Sequence, residues 1–105
     1  MDVIKKNSPV KLQQHAEQAA AMLKQLANPV RLMILCQLIG AERSVGELQE
    51  TADISQSALS QHLAKMREAG IVDAEKRGQM VFYRIADMRA HALLSTLYLI
   101  YCNTT

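Results

Sequence analysis

The sequence predicts a mainly α-helical fold with one β-hairpin, in the order α-α-α-α-β-β-α. Apolar residues recur at helical spacing through successive stretches that end at Gly70. The pattern then changes to alternating β-forming residues on both sides of Gly78, as in a hairpin. A last apolar stretch at helical spacing closes the chain. These changes of period define the elements that follow.

Length and composition fit one small domain. Half of the 105 residues are apolar, which is enough to bury a core, and the formal charge of +2 is too small to identify a nucleic-acid partner by itself. No apolar run is long enough to span a bilayer, and the start of the chain lacks the apolar stretch of a signal peptide. We therefore expect a cytoplasmic protein, with a flexible tail over residues 1–11 and a domain over residues 12–105.

Two helices are predicted before the central motif. Alanine and leucine repeat at helical spacing from Leu12 to Ala27, and the small side chains suit close contact with another helix, such as one from a partner subunit. Asn28 and Pro29 supply an N-cap and a proline at the first helical position, so a second helix starts at once and ends at Gly40. Its apolar residues surround most of its axis, which predicts a buried central helix.

A short helix and a longer helix joined by a tight turn form the central motif. Ser44 and Glu47 have the spacing of a capping box, and Ser55 and Gly70 are suitable start and stop residues for the longer helix. The outer face of that helix carries Ser57, Ser60, Gln61 and Ala64. These small side chains and the amide leave room for close approach to DNA, and the hydroxyl and amide groups can hydrogen-bond to base edges. This pattern predicts a helix-turn-helix with a DNA-recognition helix. A polar surface helix, or a helix pair that does not bind DNA, is the alternative.

The hairpin would place a basic tip beside the recognition helix. Lys76 and Arg77 lie close to Gln79 around a predicted turn at Arg77–Gly78, which suits contact with phosphate or the minor groove. An ordinary solvated tip is the alternative. A hairpin in this position makes the predicted fold a winged helix-turn-helix.

The last helix is predicted from about Met88 to Cys102. It is too apolar for a free surface, because large apolar side chains recur around it: Leu93, Leu94, Leu97, Tyr98, Ile100 and Tyr101. We therefore expect this helix to form a dimer interface.

The motifs of several segments resemble those of a known family. The segments are Asn28–Leu32, Ser44–Leu48, Ser55–Leu63 and Gly70–Val72. Together they resemble the ArsR/SmtB family of small dimeric winged-helix repressors, and the likeness extends from about Leu12 to Cys102. The resemblance implies a homodimer that binds an inverted-repeat DNA operator, with the first and last helices at the dimer interface. It implies these DNA-binding residues in the helix-turn-helix and wing: Ser44, Gln56, Ser57, Ser60, Gln61, Lys76, Arg77 and Gln79.

The metal sites found in that family are incomplete in this chain. Ser44–Gly46 stands where metal-sensing members carry a cysteine motif, and Arg89 follows Asp87 where another motif needs histidine. A zinc or arsenic site needs three or four suitable ligands. We therefore expect no metal and no cofactor, and we expect surface or packing roles for the separate histidines His15, His62 and His91. A metal-responsive repressor is the alternative.

The two cysteines are the candidate regulatory residues. Taken alone, Cys36 could be a small core residue and Cys102 a thiol at a frayed helix end. Their contexts resemble a subgroup of the family that includes BigR, SqrR and HlyU, whose paired cysteines sense reactive sulfur or oxidants through a disulfide or polysulfide link. The resemblance implies a thiol switch, and thiol exchange and oxidation chemistry are consistent with it.

The sequence does not indicate an enzyme. It shows no Ser/His/acid order, glycine-rich phosphate loop or complete metal set. A winged-helix module that binds another protein without binding DNA is a further alternative. The polar outer face of the recognition helix argues against it, because a protein-binding helix usually has an apolar or aromatic anchor there.

Overall fold

The computed structural model describes residues 8–102 and confirms a mainly helical winged fold. The elements are α1 (Pro9–Leu26), α2 (Pro29–Gln37), β1 (Arg43–Ser44), α3 (Val45–Thr51), α4 (Gln56–Glu68), β2 (Val72–Arg77), β3 (Met80–Ile85) and α5 (Met88–Tyr101). In this part of the chain no helix is long and apolar enough to cross a membrane.

Helix α1 begins earlier than the sequence pattern predicts. The Ser8 hydroxyl accepts a hydrogen bond from the Lys11 backbone N–H at 3.2 Å, and Pro9 occupies the first turn, where a missing N–H has no cost. Residues 9–11 are therefore helical, and the predicted tail is too long at this end. The rest of the predicted tail, residues 1–7, lies outside the described residues.

Helix α2 lies at the centre of the fold but is buried on one side only. The Asn28 side-chain oxygen accepts hydrogen bonds from the N–H groups of Val30 and Arg31, as its predicted capping role requires. Ile34 is completely buried, whereas Met33 is 48% exposed. The prediction of a helix buried all round is therefore wrong on the Met33 side, which leaves apolar surface open.

The hydrophobic core connects α2 to the helix-turn-helix, the hairpin and α5. Its buried members come from all of these elements: Leu26, Ile34, Leu35, Leu38, Leu48, Leu59, Leu63, Met66, Ile71, Val72, Ala90 and Leu94. Three of them, Leu59, Leu63 and Met66, form the inner face of α4. Because this face is packed into the core, the opposite face of α4 is directed outward.

The sheet has three antiparallel strands in the order β1-β3-β2. Strand β1 was not predicted, since it is too short to show an alternating pattern and pairs with a distant part of the chain, Ser44 opposite Phe82. Arg77 pairs with Met80, which puts the hairpin turn at Gly78–Gln79, one residue later than predicted. Gly78 adopts a φ of 62°, a left-handed conformation that glycine adopts without strain.

Candidate nucleic-acid interface

Helix α3 and the turn after it fix the position of the recognition helix. The Ser44 hydroxyl accepts a hydrogen bond from Glu47 N–H at 3.1 Å, and the Glu47 carboxylate accepts one from Ser44 N–H at 2.9 Å, forming the predicted capping box. The hydrogen bonds from Ser44 lower the pKa of the Glu47 carboxyl. Gln49 then donates to the Ile54 carbonyl at 2.6 Å across the turn. Ser44, a predicted DNA-binding residue, is thus buried and serves as a helix cap.

Helix α4 presents the predicted polar face to solvent. Ser55 caps the helix by accepting a hydrogen bond from Ala58 N–H at 3.1 Å. The predicted contact residues on this helix are all exposed, and none is needed for the core: Gln56, Ser57, Ser60 and Gln61. Their hydroxyl and amide groups are therefore available to a partner, and both kinds of group can recognise base edges.

An open cleft of about 620 Å³ separates the recognition helix from the hairpin. Several predicted site residues line it together, from both sides: Ser44, Gln56, Ser60 and Gln79. Val81 and Tyr83 of β3 form part of the hairpin wall. The structure thus brings one end of α4 and the hairpin turn to the same surface, as a combined DNA-reading unit requires.

Arg77 lies in an ion-pair network on one face of the hairpin. Its guanidinium contacts the carboxylates of Glu42 and Glu75, the latter at 2.9 Å, and lies over the Phe82 ring at 4.8 Å from the centroid. Hydrogen bonds to Glu42 and then Glu75 raise the pKa of Arg77, so its charge is permanent. Arg84 pairs with Glu75 in the same network. The hairpin is therefore tied to the segment before β1.

Lys76 points to the other face of the hairpin. Successive residues of a strand alternate between faces, and Lys76 pairs with Val81, which lines the cleft. Lys76 is exposed and makes no ion pair with any residue in the described range. Of the two basic residues predicted at the tip, Lys76 is thus the one whose charge is not compensated by a carboxylate.

The thiols are on two helices that pack together. Cys36 is half-buried on α2, and Cys102 is exposed at the end of α5, where its N–H donates to the Tyr98 carbonyl at 2.8 Å. Burial raises the pKa of the Cys36 thiol, and the negative charge of Cys102, when ionised, raises it further. Both cysteines are free thiols.

The histidines and Asp87 have separate surroundings. Asp87 caps α5 and pairs with Arg89 at 3.0 Å, a contact that lowers the pKa of the Asp87 carboxyl. The His91 ring lies 3.4 Å from the Ser95 hydroxyl. His62 is on a different helix, α4, and accepts a hydrogen bond from Arg31. His15 is exposed on α1. Within residues 8–102, no three His, Cys, Asp or Glu side chains cluster in a way that could bind a metal ion.

Comparison with known proteins identifies the family. The sequence model described as "Bacterial regulatory protein, arsR family" matches residues 28–74. The chain is also 46% identical over 91 residues to the biofilm growth-associated repressor of Agrobacterium fabrum, and the match covers 87% of this chain and 78% of that protein. This chain belongs to the ArsR family.

Further relatives fit the predicted subgroup of ArsR proteins. The transcriptional activator HlyU of Vibrio cholerae is 43% identical over 101 residues, covering 93% of this chain and 94% of that protein. The crystal structure of the transcriptional repressor BigR from Xylella fastidiosa has a TM-score of 0.81 at 40% identity, covering 91% of this chain and 98% of that one. These likenesses confirm the predicted resemblance and the winged helix-turn-helix fold.

The relatives define the general activity of this ArsR protein. They are transcriptional regulators, so the expectation of a regulator rather than an enzyme is confirmed. Sequence reasoning missed two polar contacts of the elements that carry the candidate surface, one between Glu42 and Arg77 and one between Arg31 and His62. No local pattern marks either contact, because its partners lie far apart in the sequence and meet only in the folded chain.

Proposed function

We propose that this ArsR-family protein is a repressor that binds an inverted-repeat operator as a homodimer, and that reactive sulfur species or oxidants regulate it through Cys36 and Cys102. The main support for DNA binding is the exposed polar face of α4, where Gln61 and its neighbours stand outside the core. That face is bounded by a cleft and a hairpin, the surroundings expected of a helix that enters the major groove.

The apolar surface of the subunit supports the dimer. Leu99, Ile100 and Tyr101 in the last turn of α5 are 62%, 59% and 75% exposed. Toward the middle of α5, a groove of about 410 Å³ between this helix, α1 and α2 is lined almost entirely by apolar side chains, including Leu23 and Leu93. Exposed apolar surface of this extent usually marks a contact with another protein chain. A second copy of this chain would supply the matching apolar surface through two-fold symmetry.

The first test replaces a proposed base-reading side chain. We expect Gln61→Ala to cost about 1–3 kcal/mol at the preferred operator and to reduce the preference for one base at the contacted position, because an amide can hydrogen-bond to two groups on a base edge. The measurement is fluorescence anisotropy with the operator and its single-base variants. Gln14→Ala removes an exposed amide from α1 and should change neither quantity. Equal affinities of the parent and Gln61→Ala for every duplex would contradict the assignment of this face.

The second test concerns the wing. Lys76→Ala should weaken binding to all sequences alike and reduce the slope of log affinity against log salt by about one, since one phosphate contact is lost. The same titration should show a further effect for Arg77→Ala, because this substitution also releases Glu42 and Glu75 and unties the hairpin. The loss of affinity caused by the untied hairpin should persist at high salt, because it does not depend on a phosphate contact. If neither variant changes the salt slope, the wing does not contact phosphate.

The packing of the two cysteine-bearing helices against each other supports the regulatory part of the proposal. Two thiols can form a disulfide by giving two electrons and two protons to an oxidant. With a persulfide donor, each cysteine can instead take one sulfur atom while the donor leaves as a thiol. The two cysteine persulfides then condense to a trisulfide and release hydrogen sulfide. Either route needs both Cys36 and Cys102, which are carried by two helices that pack together.

A further inference from the structure

Arg31 connects the recognition helix to two other helices. Its Nε donates to Nδ1 of His62 on α4 at 3.2 Å. Its Nη1 donates to the Gln25 side-chain oxygen at 2.8 Å and to the Gln25 carbonyl at 3.2 Å, at the end of α1. Arg31 itself is in the first turn of α2, and all three contacts are partly buried. One guanidinium therefore joins α1, α2 and α4.

The contact with Arg31 determines the protonation state of His62. A guanidinium has donors only, so Nδ1 of His62 must offer a lone pair and the ring must be neutral. Burial, then the charge of Arg31, then that of Lys65 lower the pKa of His62. Glu68 is the carboxylate that lines the same cleft as Arg31 and Lys65. A protonated His62 would lose this hydrogen bond and would place a third positive charge beside Arg31 and Lys65.

We propose that the Arg31–His62 hydrogen bond positions the recognition helix for DNA, and that protonation of His62 breaks this bond and weakens operator binding. The inference rests on the proposed function of α4. Arg31 and His62 are positioning residues, which act through the neighbouring Gln61 and through Ser60. Their contact can set the rotation of α4 about its axis, because a hydrogen bond is directional and the apolar contacts of Leu63 are not.

The pH dependence has a defined sign. A histidine with a lowered pKa is neutral above its ordinary value of about 6.5 and takes up a proton only below it. The protonation of His62 should therefore not change operator affinity above about pH 6.5. Below that value, the affinity should fall as the pH decreases. Folding stability should decrease in the same range, since the unfolded chain binds this proton more readily than the folded chain.

The test measures operator affinity at about pH 8 and about pH 5.5 for the parent, R31Q, H62L and H62N, with the thermal unfolding of each protein recorded at both values. H62N places an amide oxygen near the position of Nδ1 and cannot be protonated. We expect the parent to lose up to about tenfold in affinity at the lower pH, the loss expected from one hydrogen bond to a charged group. H62N should remain close to the parent's high-pH affinity at both values.

R31Q and H62L should be weak at both pH values, by about tenfold, while still unfolding cooperatively. The control H91N removes an exposed histidine on α5 and should follow the parent's pH profile. The inference is overturned if R31Q and folded H62L bind like the parent at high pH, or if H62N shows the parent's loss at low pH. If H62L does not fold, R31Q and H62N decide the matter. A parent that binds no operator at high pH would refute the proposed function and the inference with it.

Discussion

Replacing Ile100 with Glu should give a folded monomer that binds the operator at least about a hundredfold more weakly. Ile100 is 59% exposed beside Leu99 in the last turn of α5, so the substitution removes little from the subunit's own core. In a dimer interface the same carboxylate would be desolvated without a partner, which is strongly unfavourable. Separating two linked DNA-binding units then removes an advantage of about 10²–10⁴ in affinity.

Sedimentation velocity and operator titration on the same preparation would test this prediction. Met88→Glu is the matched control, because Met88 is an apolar residue of the same helix, is 86% exposed and lies in the first turn, where a carboxylate is favourable. The control should remain dimeric and should bind normally. If Ile100→Glu also remains dimeric, or if its monomer binds as tightly as the parent, this part of α5 is not the interface that DNA binding needs.

Linking Cys36 to Cys102 should lower operator affinity by about 5- to 150-fold, the usual range for coupled sites. A disulfide requires the two Cα atoms to be within about 7 Å, and a trisulfide adds one sulfur to that span. Either link joins the end of α5 to α2, the helix that packs beneath the recognition unit. Because two recognition helices must match half-sites about one DNA turn apart, a small change at the dimer interface changes the fit.

The switch is tested by intact-mass spectrometry and operator titration on one sample treated with a persulfide donor or a mild oxidant. The exposed Cys102 should react first, since burial raises the pKa of Cys36 and keeps that group as a thiol. Cys36→Ser and Cys102→Ser should each bind the operator and no longer respond. Complete conversion to the linked form with unchanged affinity, or a response in either serine variant, would refute the thiol switch.

The sequence predicted best those features that depend on neighbouring residues. Asn28 with Pro29, Ser44 with Glu47, and Ser55 each cap a helix as expected, because a cap needs only the backbone of the next turn. The start of α1 was misplaced because the alanine and leucine repeat begins only at Leu12, whereas Pro9 already occupies the first turn, where proline is favourable.

The candidate surface was only partly predictable, because some of its contacts join residues that are far apart in the sequence. The periodicity of α4 alone indicated which side of the helix is outside, so the exposure of its polar residues followed from the sequence. The contact between Arg77 and Glu42 depends on strand β1, which brings Glu42 beside the hairpin. Likewise, the contact between Arg31 and His62 exists only because α2 and α4 meet in the tertiary structure.

The ion pairs on the hairpin bear on how a DNA-binding protein searches a genome. Non-specific affinity for DNA grows with the number of protein cations that can neutralise phosphates. Glu42, Asp73 and Glu75 already compensate Arg77 and Arg84, so this face adds little general attraction for the polyanion. A regulator with such a face spends less time on the very large number of non-cognate sites, and its occupancy of the operator benefits even though no contact with the operator becomes stronger.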